Sequence, residues 1–270
     1  LRLADPQTQD GLVSAPLALE GISAAYGERM VLESVTAAFD AGRITGLVGA
    51  NGAGKTTILR AALGLVTVNG GMVRVMDVPR MQVSREALAR TLAYLPQASV
   101  AHWPIDARRL VALGRLPWLE SFGRIGQADL EAIDLALARC DALQFSTRRI
   151  DHLSAGERAR VLLARALATG AKVLLADEPA AHLDPAHQLQ LMELLRDEAR
   201  RGTAVVVTLH DLPLAARFCD ELLIVNKGRI LARGAPQQVL SDDNLAVAFG
   251  IRPLRPSDGE PFPIIPWARI

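Results

Sequence analysis

Lysine is nearly missing from this sequence. Of 30 lysines and arginines, only Lys55, Lys172 and Lys227 are lysines. The bias is that of a genome preferring arginine codons, and against it the lysine at 55 stands out. Cysteine is equally scarce. Cys140 and Cys219 stand alone, with no C-x-x-C spacing for a metal, which fits a reducing compartment. Charge of one sign is missing too. The formal net charge is +1 and the arginines are spread along the chain, so no basic field advertises nucleic acid and no acidic tail is present. No apolar run is long enough to cross a bilayer, and the first ten residues, LRLADPQTQD, carry no apolar core of a signal peptide. The expectation is a soluble, cytoplasmic chain that serves a membrane only by docking to another protein.

What is present suffices for one large core or two modest lobes: 270 residues, half of them hydrophobic. The first dozen residues read as frayed. β-like stretches follow at Leu17–Ser23 and Val31–Phe39, then a short apolar strand at Arg43–Val48 and a helix from Lys55 to Leu65. Further strands are expected at Gly71–Asp77, Leu92–Leu95, Lys172–Ala176, Thr203–Thr208, Leu222–Val225 and Arg229–Ala232. Helices are expected over Ser154–Ala168 and Pro185–Arg201, and the pattern is helical from about Val100 to Arg149. Strands alternating with helices predict an α/β fold: a core with a mostly parallel sheet, an N-terminal antiparallel β subdomain and an inserted helical subdomain at about 98–168. The main unit spans 13–250, and the proline-rich tail 251–270 is left unassigned.

Four patterns carry chemistry. GANGAGKTT, Gly49 to Thr57, fits G-x-x-x-x-G-K-[ST] between an expected strand and an expected helix. Glycines let the backbone wrap a phosphate with successive N–H groups pointing inward, and the helix N-terminus adds its dipole. Asn51, Gly52, Ala53, Gly54, Lys55, Thr56 and Thr57 are the nucleotide-binding candidates, with Lys55 for the β- and γ-phosphates and the Thr56 hydroxyl for Mg²⁺. VLLADEP, Val173 to Pro179, is an apolar strand ending in two acids at the crevice side of the sheet. Asp177 suits Mg²⁺, and Glu178 suits orienting or deprotonating a water. TLHD places His210 at the end of a strand expected to neighbour that one. LSAGE, from Leu153, reads as a capping box of Ser154 and Glu157, yet puts the flexible Gly156 in the first helical turn. His182 and His187 both stand near Asp184, but not at i, i+4 ligand spacing, so a metal site there is disfavoured. His102 and His152 read as surface residues.

With these patterns in order, the chain resembles the ATP-binding subunits of ABC transporters from about Leu17 to Ala248. In that resemblance Tyr26 stacks on adenine, GANGAGKTT is Walker A, Gln97 is the Q-loop glutamine (a catalytic and metal-site candidate), LSAGE is the signature, VLLADEP is Walker B, AHLD contains the D-loop and His210 is the switch histidine. It implies ATP and Mg²⁺ as ligands, with Glu178, His210 and Gln97 as the catalytic set. It also implies a head-to-tail homodimer in which Ser154, Gly156 and Asp184 serve an ATP held by the partner. A glycine at 156 then lets the backbone approach that nucleotide. Ala155 and Glu157 depart from the commoner LSGGQ, and Ala181 and His182 from SALD, which leaves cross-interface coupling open.

The run WPIDARRLVALGRLPWL, Trp103 to Leu119, and AHLDPAHQ, Ala181 to Gln188, resemble importers of iron chelates, haem and cobalamin. Zinc, manganese and molybdate importers share much of this. The resemblance implies an integral membrane permease, an indirect substrate-binding protein, and a peripheral location on the cytoplasmic face of the cell membrane. The rivals are a soluble ABC ATPase acting on nucleic acid, an exporter ATPase and a non-enzymatic nucleotide sensor. Near-zero net charge opposes the first, the 103–119 run the second, and the intact Lys55, Asp177, Glu178 and His210 the third.

Overall fold

A computed structural model describes residues 15–97, 104–119, 123–254 and 265–269. The expected frayed start, His102, Trp103 and the stretch 261–264 lie outside them. In chain order the elements are β1 (Leu17–Tyr26), β2 (Arg29–Phe39), β3 (Ile44–Val48), α1 (Lys55–Leu63), β4 (Val68–Val75), β5 (Val78–Pro79), α2 (Arg85–Thr91) and β6 (Leu92–Leu95). There follow α3 (Ala107–Ala112), α4 (Gln127–Arg139), α5 (Ala155–Leu167), β7 (Val173–Asp177), α6 (Pro185–Arg200), β8 (Ala204–Thr208) and α7 (Leu212–Phe218). The chain closes with β9 (Glu221–Asn226), β10 (Arg229–Gly234), α8 (Pro236–Val239), α9 (Asp242–Phe249), β11 (Ile251–Leu254) and β12 (Ile265–Arg269).

The main sheet runs β10-β9-β3-β8-β7-β6, with every neighbouring pair parallel except β10 and β9. Its strands β3, β7 and β8 are buried at every residue, because both faces are covered; their sequences are therefore mostly apolar runs rather than alternating ones. The two faces feed two cores. Ile44, Val48, Leu174, Ala176, Val205 and Val207 face the helices α3 to α7. Leu47, Val173, Leu175, Ala204 and Val206 face α1 and a second, antiparallel sheet of order β2-β1-β4-β5. The expected β subdomain is this second sheet.

Between β6 and β7 the described residues form helices and turns. Here the GRLPW stretch has a specific task. A β-carbon on Gly114 would overlap the Arg165 carbonyl, so glycine lets the 3₁₀ turn 113–118 lie directly on α5. Arg115 Nη1 then donates to the Ala168 carbonyl at 2.9 Å and Trp118 Nε1 to that of Thr169 at 2.8 Å. Two carbonyls at the end of α5 thereby find donors. The guanidiniums of Arg90 and Arg115 lie 4.7 and 5.0 Å from the Trp118 ring, within cation–π range.

Three differences from the sequence expectations have physical causes. α1 stops at Leu63, two residues early, because Gly64 adopts φ 76° and caps it. The short helices α2, α7, α8 and α9 were not expected, since four to eight residues give too few turns for a periodic pattern. Three of them are announced only by their caps: Ser84, Asp211 and Ser241 accept from the N–H groups of Ala87, Leu214 and Asn244. The tail contains an antiparallel pair, β11 with β12, in which Pro253 and Pro266 face each other at a register shift. A two-stranded ribbon has open edges, where proline is tolerated. No helix among the described residues is long and apolar enough to cross a membrane.

Candidate active site

The glycine-rich loop leaves β3 and turns into α1. Gly49 has φ 154°, and a β-carbon there would overlap the Val225 carbonyl of β9. Gly52 and Gly54 have φ 75° and 113°, in the region where L side chains are strained. Gly54 is the N-cap of α1, so the first N–H groups of a nine-residue helix open on the loop. Lys55 is 5% exposed, and its ammonium donates to the Gly49 and Ala50 carbonyls at 2.8 and 3.2 Å. Burial lowers its pKa from the ordinary lysine value, while the charges of Glu178 and Asp177 oppose that shift. The loop is thus folded around a buried cation beside a helix N-terminus, a setting for an anion. Ala53 in the loop and Thr57 in the first turn of α1 are buried. Tyr26, at the end of β1, is 48% exposed. Its hydroxyl, and to a lesser extent that of Tyr94, holds the Arg60 guanidinium above its usual pKa.

The carboxylates stand where β7 meets its neighbours. Asp177 Oδ1 accepts from Thr56 Oγ1 at 3.0 Å and from Thr208 Oγ1 at 2.8 Å, and its Oδ2 accepts from Tyr94 OH at 3.2 Å. The register pairs Asp177 with Thr208 across β7 and β8, which is why the two side groups meet. The Thr208 hydroxyl also accepts the Glu178 N–H at 2.7 Å. Glu178 has φ 47°, a costly conformation for a non-glycine residue that swings its side chain out of the strand line. Gln97 Nε2 donates to Glu178 Oε2 at 2.5 Å, and His210 Nε2 lies against Oε1. Asn51, Gly52, Gln97, Glu178 and His210 line one open cleft of about 490 Å³.

Ser154, Gly156 and Asp184 do not line that cleft. Ser154 caps α5 in a full capping box: its hydroxyl accepts the Glu157 N–H at 3.2 Å, and Glu157 accepts the Ser154 N–H at 2.8 Å. That bond, before the Arg148 charge, holds the Glu157 carboxyl below its usual pKa. Asp184 caps α6, accepting the His187 N–H at 3.0 Å and meeting His187 Nδ1 at 2.6 Å. Both contacts lower its pKa. Among the described residues no group of three or more potential ligands forms a metal cluster. His152 is exposed, as expected.

Sequence reasoning missed two members of the carboxylate cluster, Tyr94 and Thr208. The signal for Thr208 was available: it is the polar residue closing an apolar strand expected beside the acidic one. Tyr94 carried none, because a tyrosine in a short strand reads as core.

Residues 32–181 match the family model described as ABC transporter. The cobalamin import ATP-binding protein of Halobacterium salinarum is 43% identical over 87% of this chain and 59% of its own length, so the chain spans about three fifths of that relative. The hemin import ATP-binding protein of Rhodococcus jostii is 40% identical over 91% of this chain and 82% of its own. A nucleotide-free ATP-binding cassette of an ABC transporter superposes with a TM-score of 0.79 at 21% identity, covering 86% of this chain and 98% of that one; this likeness shows the fold. On the family match and the two relatives, the chain belongs to the ABC transporter family and carries the α/β fold of its ATP-binding subunits.

Proposed function

We propose that this chain hydrolyses ATP for an importer of an iron chelate, haem or cobalamin. It works as a head-to-tail dimer on the cytoplasmic face of the membrane beneath an integral permease, which a separate binding protein supplies with cargo. The unit doing this work is 13–250, with 98–168 as its helical subdomain. The observation that carries the reading is Glu178, lining the same cleft as Asn51 and Gly52 of the glycine loop, with Gln97 on one oxygen and His210 on the other.

The residues divide the work. The loop Asn51–Thr57 and the start of α1 receive the phosphates, with Lys55 exchanging its own loop carbonyls for phosphate oxygens. Glu178 orients a water and takes its proton, and His210 and Gln97 hold that carboxylate in place. Tyr26 offers an exposed ring to the base. The oxygen atoms of Thr56 and Asp177, 3.0 Å apart, are the hard donors that Mg²⁺ takes. Gln97 completes that site once its amide turns from Glu178. Bound there, Mg²⁺ would neutralise charge on the phosphates. Ser154, Gly156 and Asp184 reach the partner's ATP. As an acceptor from Glu157, the Ser154 hydroxyl keeps its own proton to offer.

The test is capture of the tagged Glu178→Gln variant with ATP and Mg²⁺ from detergent-solubilised native membranes, followed by mass spectrometry. A co-purifying polytopic permease supports import, and its relatives separate a chelate, haem or cobalamin route from one for zinc, manganese or molybdate. Recovery of soluble partners alone overturns the importer reading. Hydrolysis by this variant at the parent rate removes Glu178 from its role.

A further inference from the structure

The glycine in the first turn of α5 has a neighbour within its own chain. A β-carbon on Gly156 would fall within 2.6 Å of the Cγ, Cδ2 and Nε2 atoms of His187, from the first turn of α6. The space that a side chain would take is filled by the imidazole. The same ring meets Asp184 Oδ2 through Nδ1 at 2.6 Å, and the His187 N–H caps onto Asp184 Oδ1. Next to it, Gln188 Nε2 reaches back to the Ala180 carbonyl at 3.3 Å. One face of the ring therefore rests on the start of α5, while one edge holds the aspartate that ends the loop leading from Glu178.

We propose that His187 is a positioning residue, a strut that fixes the signature turn of α5 to the loop 178–184 within one chain. This deepens the dimer reading above and rests on it. In a head-to-tail pair, the signature acts on one ATP and Glu178 of the same chain on the other. A rigid link between the two makes the state of one ATP site felt at the other. Within its own chain, the His187 ring takes the space that a side chain at 156 would fill.

The test is a double-mutant cycle on the purified full chain, reading steady-state ATP hydrolysis and its Hill coefficient for ATP. Gly156→Ala drives a methyl into the ring, and the expected loss in kcat is about tenfold or more. His187→Ala removes the strut; kcat falls about threefold and the Hill coefficient drops toward one. The double variant is expected to recover several-fold in kcat over Gly156→Ala, since the methyl then finds room and the two losses do not add. His187→Asn, whose amide can replace Nδ1 at Asp184, restores cooperativity. A simple loss of folded protein would leave the Hill coefficient unmoved.

A double variant at or below the level of Gly156→Ala overturns the strut, as does a His187→Ala variant with parental cooperativity. Light scattering of the Glu178→Gln parent with ATP and Mg²⁺ separates the two levels of failure. A dimeric parent with an unrescued double variant sinks the strut alone. A parent that stays monomeric sinks the dimer reading, and the strut's coupling role with it.

Discussion

The hydroxyl of Thr208 lies 2.8 Å from Asp177 Oδ1 and donates to it, while accepting the N–H of Glu178 at 2.7 Å. One buried oxygen on β8 thus fixes both acids of β7. Thr208→Val keeps the shape and removes the oxygen, leaving the Glu178 N–H without that acceptor and Asp177 without one donor. An unmet buried polar group costs about 1–3 kcal/mol, so the unfolding free energy read from denaturant titration falls by that amount. Hydrolysis falls about tenfold, the equivalent of roughly 1.4 kcal/mol in the barrier, because Glu178 no longer has a fixed start. Thr208→Ser retains the oxygen and should stay near the parent in both assays.

How much of this was legible in the sequence depends on which force set each feature. The main sheet was legible because burial on both faces wrote continuous apolar runs at 44–48, 173–177 and 204–208. The glycine loop was legible because only glycine tolerates the conformations at 49, 52 and 54. The pairing of β8 with the acidic strand was expected, which left Thr208 within reach of the sequence, whereas the pairing of β6 with β7, which brings Tyr94 to Asp177, was not. Gly156 was the instructive case. Its oddity in a helical turn was plain, but its neighbour His187 stands 31 positions later, and nothing in local spacing joins the two.

The glycine loop contains its own control for backbone strain. Gly49 and Gly52 both have positive φ, but a β-carbon at 49 strikes the Val225 carbonyl, while one at 52 meets nothing within 4 Å. Gly52→Ala pays for the left-handed conformation alone, roughly 1–2 kcal/mol. Gly49→Ala must also push β3 from β9, and its destabilisation should exceed about 4 kcal/mol, in the range that marks a named structural clash. Urea unfolding of the two variants in parallel measures the gap. Equal losses would show that the close approach at Val225 is soft.

Both thiols should be inert while the chain is folded. Cys140 and Cys219 are buried. Burial raises the Cys140 thiol far above its ordinary pKa and pushes Cys219 up to about 12, and it is the thiolate that reacts. A β-carbon at Gly46 would overlap Cys219 Sγ and Leu222, so this thiol sits tight against β3. At neutral pH, alkylation with iodoacetamide should label neither cysteine in the native protein and both in urea. Labelling of one under native conditions would report a local opening around α4 or α7.

Lys55 gives the molecule a proton linkage that the nucleotide should reverse. Burial depresses its pKa below the ordinary 10.5, against the pull of Glu178 and Asp177. The unfolded chain then binds this proton more tightly than the folded one, so the Lys55 contribution to stability rises with pH between the depressed value and 10.5, and is flat below that window. Phosphate charges favour the ammonium and raise its pKa again. Binding a non-hydrolysable ATP analogue in this alkaline window should therefore take up a fraction of a proton, measured by calorimetry in two buffers of different ionisation enthalpy. Uptake should vanish at lower pH, where Lys55 is already charged before binding. Lys55→Arg, whose guanidinium stays protonated, should show none at any pH, along with a large loss of hydrolysis because its planar fork does not match the space of an ammonium. Unchanged uptake in that variant would assign the proton to a group other than Lys55.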